Sequence, residues 1–119
     1  MASVTGHLVD WATSVSWSTL PPSVRRATTC RTLDSIGLML AGSDTAAGRA
    51  VREHVLANGG VEQATLLGHG RRLPASSVAL AHGTWAHVHD FDDTEPSTVV
   101  HPTSPIVAAA LAGGEAHDA

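Results

Sequence analysis

A line of small residues follows Pro74. Ala75, Ala79, Gly83 and Ala86 are spaced by four, four and three, the repeat of a single helix face. Side chains this small let a second backbone pack close along that face. The rest of the chain is built in the same way. Ala and Gly are abundant, aromatic residues make up 3% of the total, and the large rings are three Trp and one Phe. Apolar residues still reach 43%, so a core is available. A core of small side chains favours helix against helix over a sandwich filled by bulky residues. The expected fold class is all-α, a helical bundle with one short β-hairpin.

The punctuation of the sequence divides it into elements. Val4, Leu8, Trp11 and Val15 are spaced as one helix face. Pro21-Pro22 then breaks the chain and opens a second helix, which runs to about Ala41. Its expected apolar stripe is Val24, Ala27, Leu33, Ile36, Gly37 and Leu40, and Cys30 within it reads as a buried thiol. Gly42 serves as a stop, and Ser43 or Asp44 as the cap of a third helix over 45–57, with Val51 and Val55 inward and Asn58-Gly59-Gly60 as its end. Ala64–Leu67 and Arg71–Leu73 flank Gly68-His69-Gly70 as a small hairpin. Pro74 starts a helix to about His89, an acidic loop reaches His101, and Pro102 or Pro105 opens a last helix through Val107, Ala110 and Leu111. No repeat, linker or domain boundary interrupts the 119 residues. The chain stops at 115–119 without a clear stop signal, so it reads as truncated inside a helix.

Several classes are excluded. The net charge is −4 and the basic clusters are only Arg25-Arg26 and Arg71-Arg72, so no basic stripe exists to bind nucleic acid. A single cysteine cannot form a disulfide within the chain or hold an Fe–S cluster alone. No Lys or Arg precedes Arg25, so no signal-peptide n-region is present. The apolar runs near 36–41 and 106–112 are too short to span a bilayer. A soluble cytoplasmic protein is the expectation.

The chemistry-bearing residues gather in one place. Of eight His, four (His82, His87, His89 and His101) lie near Asp90, Asp92, Asp93 and Glu95. Three readings compete. His and carboxylates suit a zinc-like metal site, and His89-Asp90 resembles the His-Asp dipeptide of metal-dependent phosphohydrolases. Yet His87 and His89, two apart, point to different sides of a helix, and no HExxH spacing is present. Acid–base chemistry without metal is the second reading. Asp90 and Thr94 would share a face if the helix continued, Phe91 would desolvate a neighbour, and His101 would return from the far side of the loop. The third reading is structural: Asp and Thr cap helices, and Asp92, Asp93 and Glu95 taken singly are solvated or structural.

Order and context add a resemblance. Arg71-Arg72-Leu73-Pro74-Ala75, then 81–87 (AHGTWAH), then Asp90-Phe91-Asp92-Asp93-Thr94, then His101-Pro102 resemble the MmgE/PrpD family, that of 2-methylcitrate dehydratase and cis-aconitate decarboxylase. Leu33–Gly37 with Ala41–Ser43, and Ala64–Gly68, are similar to further segments of that family. The resemblance covers nearly the whole chain, in order. It implies that 1–119 is the N-terminal portion of an all-helical domain, without the family's smaller lid domain. It implies a cofactor-independent lyase (dehydratase, decarboxylase or isomerase) acting on a small di- or tricarboxylate such as 2-methylcitrate, with no metal and a homodimeric whole. Its catalytic Asp, Thr and His fall on Asp90, Thr94 and His101. The family's basic pocket residues and further His lie downstream of this segment.

Two departures bear on this. The residue after the DFDDT motif is commonly His in the family and is Glu95 here, and Gly113-Gly114 stand where an Ala-rich helix is usual. Charge is an independent constraint. A polycarboxylate needs Arg or Lys donors, whereas 90–95 carries four acids and no base. The expectation is a chain without turnover by itself, with a helical packing or dimerisation module as the non-catalytic alternative.

Overall fold

The computed structural model describes residues 3–118. The chain divides into two compact units, residues 1–30 and 31–119.

The first unit holds helix α1 (Val4–Ser14), a 3₁₀ turn at Trp17–Thr19 and the opening of helix α2 (Pro22–Gly42). Ser3 caps α1, its hydroxyl accepting the Gly6 N–H at 3.0 Å. The expected face of Val4, Leu8 and Trp11 is helical, but all three side chains are exposed. Cys30 is exposed as well, which corrects its reading as a buried thiol.

In the second unit α2 ends, and helix α3 (Ala46–Asn58), strands β1 (Ala64–Leu66) and β2 (Arg71–Leu73), helix α4 (Ala75–His87) and helix α5 (Thr103–Ala116) follow. The all-α class with one hairpin is correct. The strands pair antiparallel, with Ala64 opposite Leu73 and Leu66 opposite Arg71. Gly68 and Gly70 turn the chain at φ 74° and 59°, backbone that glycine adopts without penalty. Ala64, Leu66 and Leu73 point into the core, while Arg72 points out to pair with Glu115 at 3.4 Å.

Helix α4 is the centre of this unit, packing on α5, on α3 and on β1. Its Gly83 meets the Ala108 Cβ of α5 at ordinary contact distance, as the small-residue line requires. Trp85, fully buried, donates its indole N–H to the Gly48 carbonyl at 2.9 Å. The rings of His69 and His82 flank it, with centroids 5.6 Å and 5.5 Å away. Gly42 lies so close to α4 that a Cβ would overlap the Trp85 carbonyl oxygen.

Two expectations about α2 and α3 change. The buried residues of α2 are Ser35, Met39 and Gly42, whereas Val24, Leu33 and Leu40 are exposed. Close backbone approach at Gly42, rather than the count of apolar side chains, selects the inward face. The cap of α3 is Thr45, which accepts the Gly48 N–H at 3.0 Å. Ser43 instead donates back to the Leu40 carbonyl and completes α2. Val55 is buried and Val51 half-buried, as expected. Gly113 and Gly114 lie inside α5, where each costs about 0.5–1 kcal/mol relative to Ala. No helix among the described residues is long and apolar enough to cross a membrane.

Candidate functional site

The site is built by the segment joining α4 to α5. Helix α4 stops at His87, and the Val88 N–H closes its last turn on the Thr84 carbonyl. Asp90 then takes a left-handed conformation, φ 56°, and its N–H bonds the His87 carbonyl at 2.8 Å. Asp is one of the few residues that tolerate this region. The turn drops Asp92 into the protein, where its side chain is only 2% exposed.

The next residues are anchored one by one. Asp93 receives the backbone N–H of Thr103 at 3.2 Å and its hydroxyl at 2.6 Å. It thus caps α5 from ten residues away, in place of Pro102, which has no side-chain cap bond. A carboxylate at a helix N-terminus also meets the positive end of the dipole. Arg31 of α2 lies 3.1 Å from the same carboxylate. Glu95 closes its own turn: its carboxylate accepts from Ser97 Oγ, Thr98 Oγ1 and Thr98 N at 2.6–2.8 Å. Those bonds, from Ser97 first, hold its acid at about 2. The Glu95 N–H pairs with the Val100 carbonyl at 2.9 Å and shuts the loop.

His101 then returns to α4. Its Nδ1 lies 3.1 Å from Asp92 Oδ1, and His87 Nδ1 lies 2.9 Å from that same oxygen. The two imidazoles meet edge to face, centroids 5.0 Å apart. On its other side, His101 Nε2 is 3.5 Å from Thr94 Oγ1 and 3.7 Å from Asp90 Oδ1. A cavity of about 410 Å³ opens beside them, lined by Gly83, His87, Asp92, His101 and Pro105.

The three residues expected from motif, Asp90, Thr94 and His101, are therefore neighbours. The route differs from the one expected. Helix α4 ends before Asp90, so Asp90 and Thr94 share no helix face; His101 is what they have in common. Phe91 desolvates nothing: it is exposed and stacks on His89. His82 takes no part. It is buried against Trp85, accepts the Leu67 N–H at 3.1 Å, and burial lowers it to about 4 despite the opposing pull of Glu115.

Asp92 and His87 complete the site, and spacing did not single them out. Burial pushes the Asp92 carboxyl up, but the His87 hydrogen bond, Ser104 and the charge on His87 outweigh it, and the net shift is downward. Ser104 pulls in this direction although its hydroxyl makes no well-aligned bond to Asp92 Oδ2. Arg31 was also missed; it brings one cation to the acidic loop. Among the residues lining the cavity none is Lys or Arg.

A metal site through His87 and His89 is excluded by their placement, because His89 turns to Phe91. A different set does converge: donor atoms of His87, Asp90, Asp92 and His101 all lie within 4.8 Å of one another.

A predominantly helical unit thus sets paired imidazoles and carboxylates beside a cavity. The chain belongs to the MmgE/PrpD family: the family model described as MmgE/PrpD N-terminal domain matches residues 6–119. Comparisons with curated proteins and with solved structures gave no match.

Proposed function

We propose that this chain is the N-terminal part of a lyase of 2-methylcitrate dehydratase type, acting on a small di- or tricarboxylate without a cofactor. The observation that carries the reading is His101, which has a carboxylate facing each ring nitrogen at the edge of a cavity. Family membership supports the reaction class.

In this reading His101 Nε2 takes the proton from the carbon beside a substrate carboxylate. The electron pair of that C–H bond forms the new double bond as the leaving hydroxyl departs. That hydroxyl collects a proton from a second acid at the pocket and leaves as water, and the imidazolium gives up its proton to solvent. Asp90, whose carboxylate lies 3.7 Å from Nε2, stabilises the imidazolium, and Thr94 donates a hydrogen bond to substrate. Such proton transfer contributes about 10²–10⁴-fold to rate. The cations that balance an anionic substrate come from the rest of the family's fold, so the 119-residue chain alone turns nothing over. The reading places the protein in the cytoplasm as a homodimer. Replacing His101 by Ala in the protein carrying both parts of the fold lowers kcat/KM on 2-methylcitrate by about 10²-fold or more, followed by the ultraviolet absorbance of the unsaturated product. Undiminished turnover refutes it.

One observation favours a second reading, a divalent cation held by the four converging donors. Against it, the Nδ1 atoms of His87 and His101 are both engaged with Asp92 Oδ1. Zinc titration monitored by calorimetry, with and without His87→Ala, separates the two.

A further inference from the structure

We infer that Asp92 is a positioning residue that locks His87 and His101 in the same tautomer, Nδ1–H, and so puts the lone pair of each ring on Nε2. The tautomer assignment stands on geometry alone; its catalytic meaning rests on the lyase reading above.

The argument begins with what a carboxylate can do. An ionised carboxylate accepts hydrogen bonds and donates none. Both imidazoles approach one and the same oxygen, at 2.9 Å and 3.1 Å, each through Nδ1. Each Nδ1 must therefore carry the proton. A neutral imidazole has one N–H and one lone pair, so Nε2 holds the lone pair in both rings. Asp92 suits this role because it is buried and ionised: its hydrogen bonds offset the cost of burial. The other acids of the segment are unsuited. Asp93 is occupied by Thr103 and Arg31, and Glu95 by its own turn. Asp90 is exposed and faces Nε2 of His101, at 3.7 Å.

The consequence is that His87 becomes a second imidazole of the site. It lines the same cavity as His101, with its ring held 5.0 Å away, edge to face. One ring removes the substrate proton at Nε2. The other, once protonated at Nε2, returns a proton to the departing hydroxyl. No proton is created or lost: the one taken from carbon is balanced by the one given to oxygen, and solvent restores the pair. Asp92, its side chain 2% exposed, acts through the two rings.

Two-bond ¹⁵N–¹H correlation NMR of the labelled chain, above the histidine titrations, reads ring tautomers directly. Both His87 and His101 are expected as Nδ1–H. A folded wild-type chain with either ring chiefly in the Nε2–H form overturns the assignment. Asp92→Asn, whose amide offers both donor and acceptor, should release both rings toward the Nε2–H form that free imidazole favours; unchanged tautomers in that variant also overturn it. Where that variant fails to fold, the wild-type spectrum decides. In the protein carrying the whole fold, Asp92→Asn should lower kcat by about 100-fold or more with little change in KM. Normal kcat with released tautomers overturns the positioning role. A wild-type protein without lyase turnover fails the lyase reading instead, while the tautomers still decide this one.

Discussion

His82 makes the stability of the chain fall in mild acid, well above the range in which its carboxylates titrate. The ring is buried in the core, with the Leu67 N–H on Nε2 and the Trp85 indole beside it. Desolvation holds it neutral down to about 4, against an ordinary value of 6.5. The unfolded chain therefore takes up a proton below 6.5 that the folded chain refuses. Stability attributable to His82 is complete above pH 6.5 and is lost as pH falls from there toward 4. The slope approaches about 1.4 kcal/mol per pH unit, which amounts to roughly 2 kcal/mol by pH 5 and roughly 3 kcal/mol by pH 4. The other resolved shifts have the same sense but act at lower pH: Asp92 and Glu95 are lowered too, so their contributions persist above the ordinary carboxylate values and fade only below them. The window from pH 6.5 to 5 thus isolates His82 among these groups. Urea unfolding at pH 7, 6, 5 and 4.5, for wild type and for His82→Gln, supplies the test. The amide of Gln can still accept from Leu67 N–H and does not titrate, so the pH dependence rather than the baseline is compared. Wild type should lose about 2 kcal/mol more than the variant between pH 7 and pH 5. Parallel curves would refute the burial argument.

Two further predictions concern the loop. Asp93→Ala removes the remote cap of α5 together with the Arg31 pair and should cost about 1–2 kcal/mol by the same denaturation, and Asp93→Asn less; no measurable cost would mean that α5 does not need the cap. Val99 sits at φ 57° although it is β-branched and exposed. Val99→Gly should raise stability by up to about 1 kcal/mol in thermal unfolding, and a loss would show that this conformation carries no strain.

Much of the fold was legible because the chain is well punctuated. Pro21-Pro22 and Pro74 open helices, Asn58-Gly59-Gly60 closes one, and Gly68 and Gly70 make the hairpin turn. The inward face of α2 was not legible. Apolar residues occur all around that helix, and what selects Ser35, Met39 and Gly42 is the fit of a residue without Cβ against the Trp85 carbonyl. Cys30 was misread for the same reason, since an apolar pattern on that helix does not report burial. At the site, Asp90, Thr94 and His101 were found through resemblance, and no helical spacing relates them. Asp92 was invisible because four neighbouring acids look alike in a string. A single left-handed residue, Asp90, sends Asp92 inward, and two histidines from separate elements make its burial tolerable. Arg31 reaches Asp93 from 62 positions earlier in the chain, a pairing that only folding brings about.

The closed turn at Glu95 has a bearing on how this scaffold can diversify. Residues 96–99 leave and re-enter the chain at one gate, where Glu95 and Val100 pair, and the Glu95 carboxylate fastens the gate from inside. Asp92 and Asp93 are secured before that gate and His101 just after it. Added length at 96–99 therefore enlarges a surface excursion while the pocket keeps its register, which is the kind of position where insertions are tolerated. The loop can change length there while the imidazole pair stays in place.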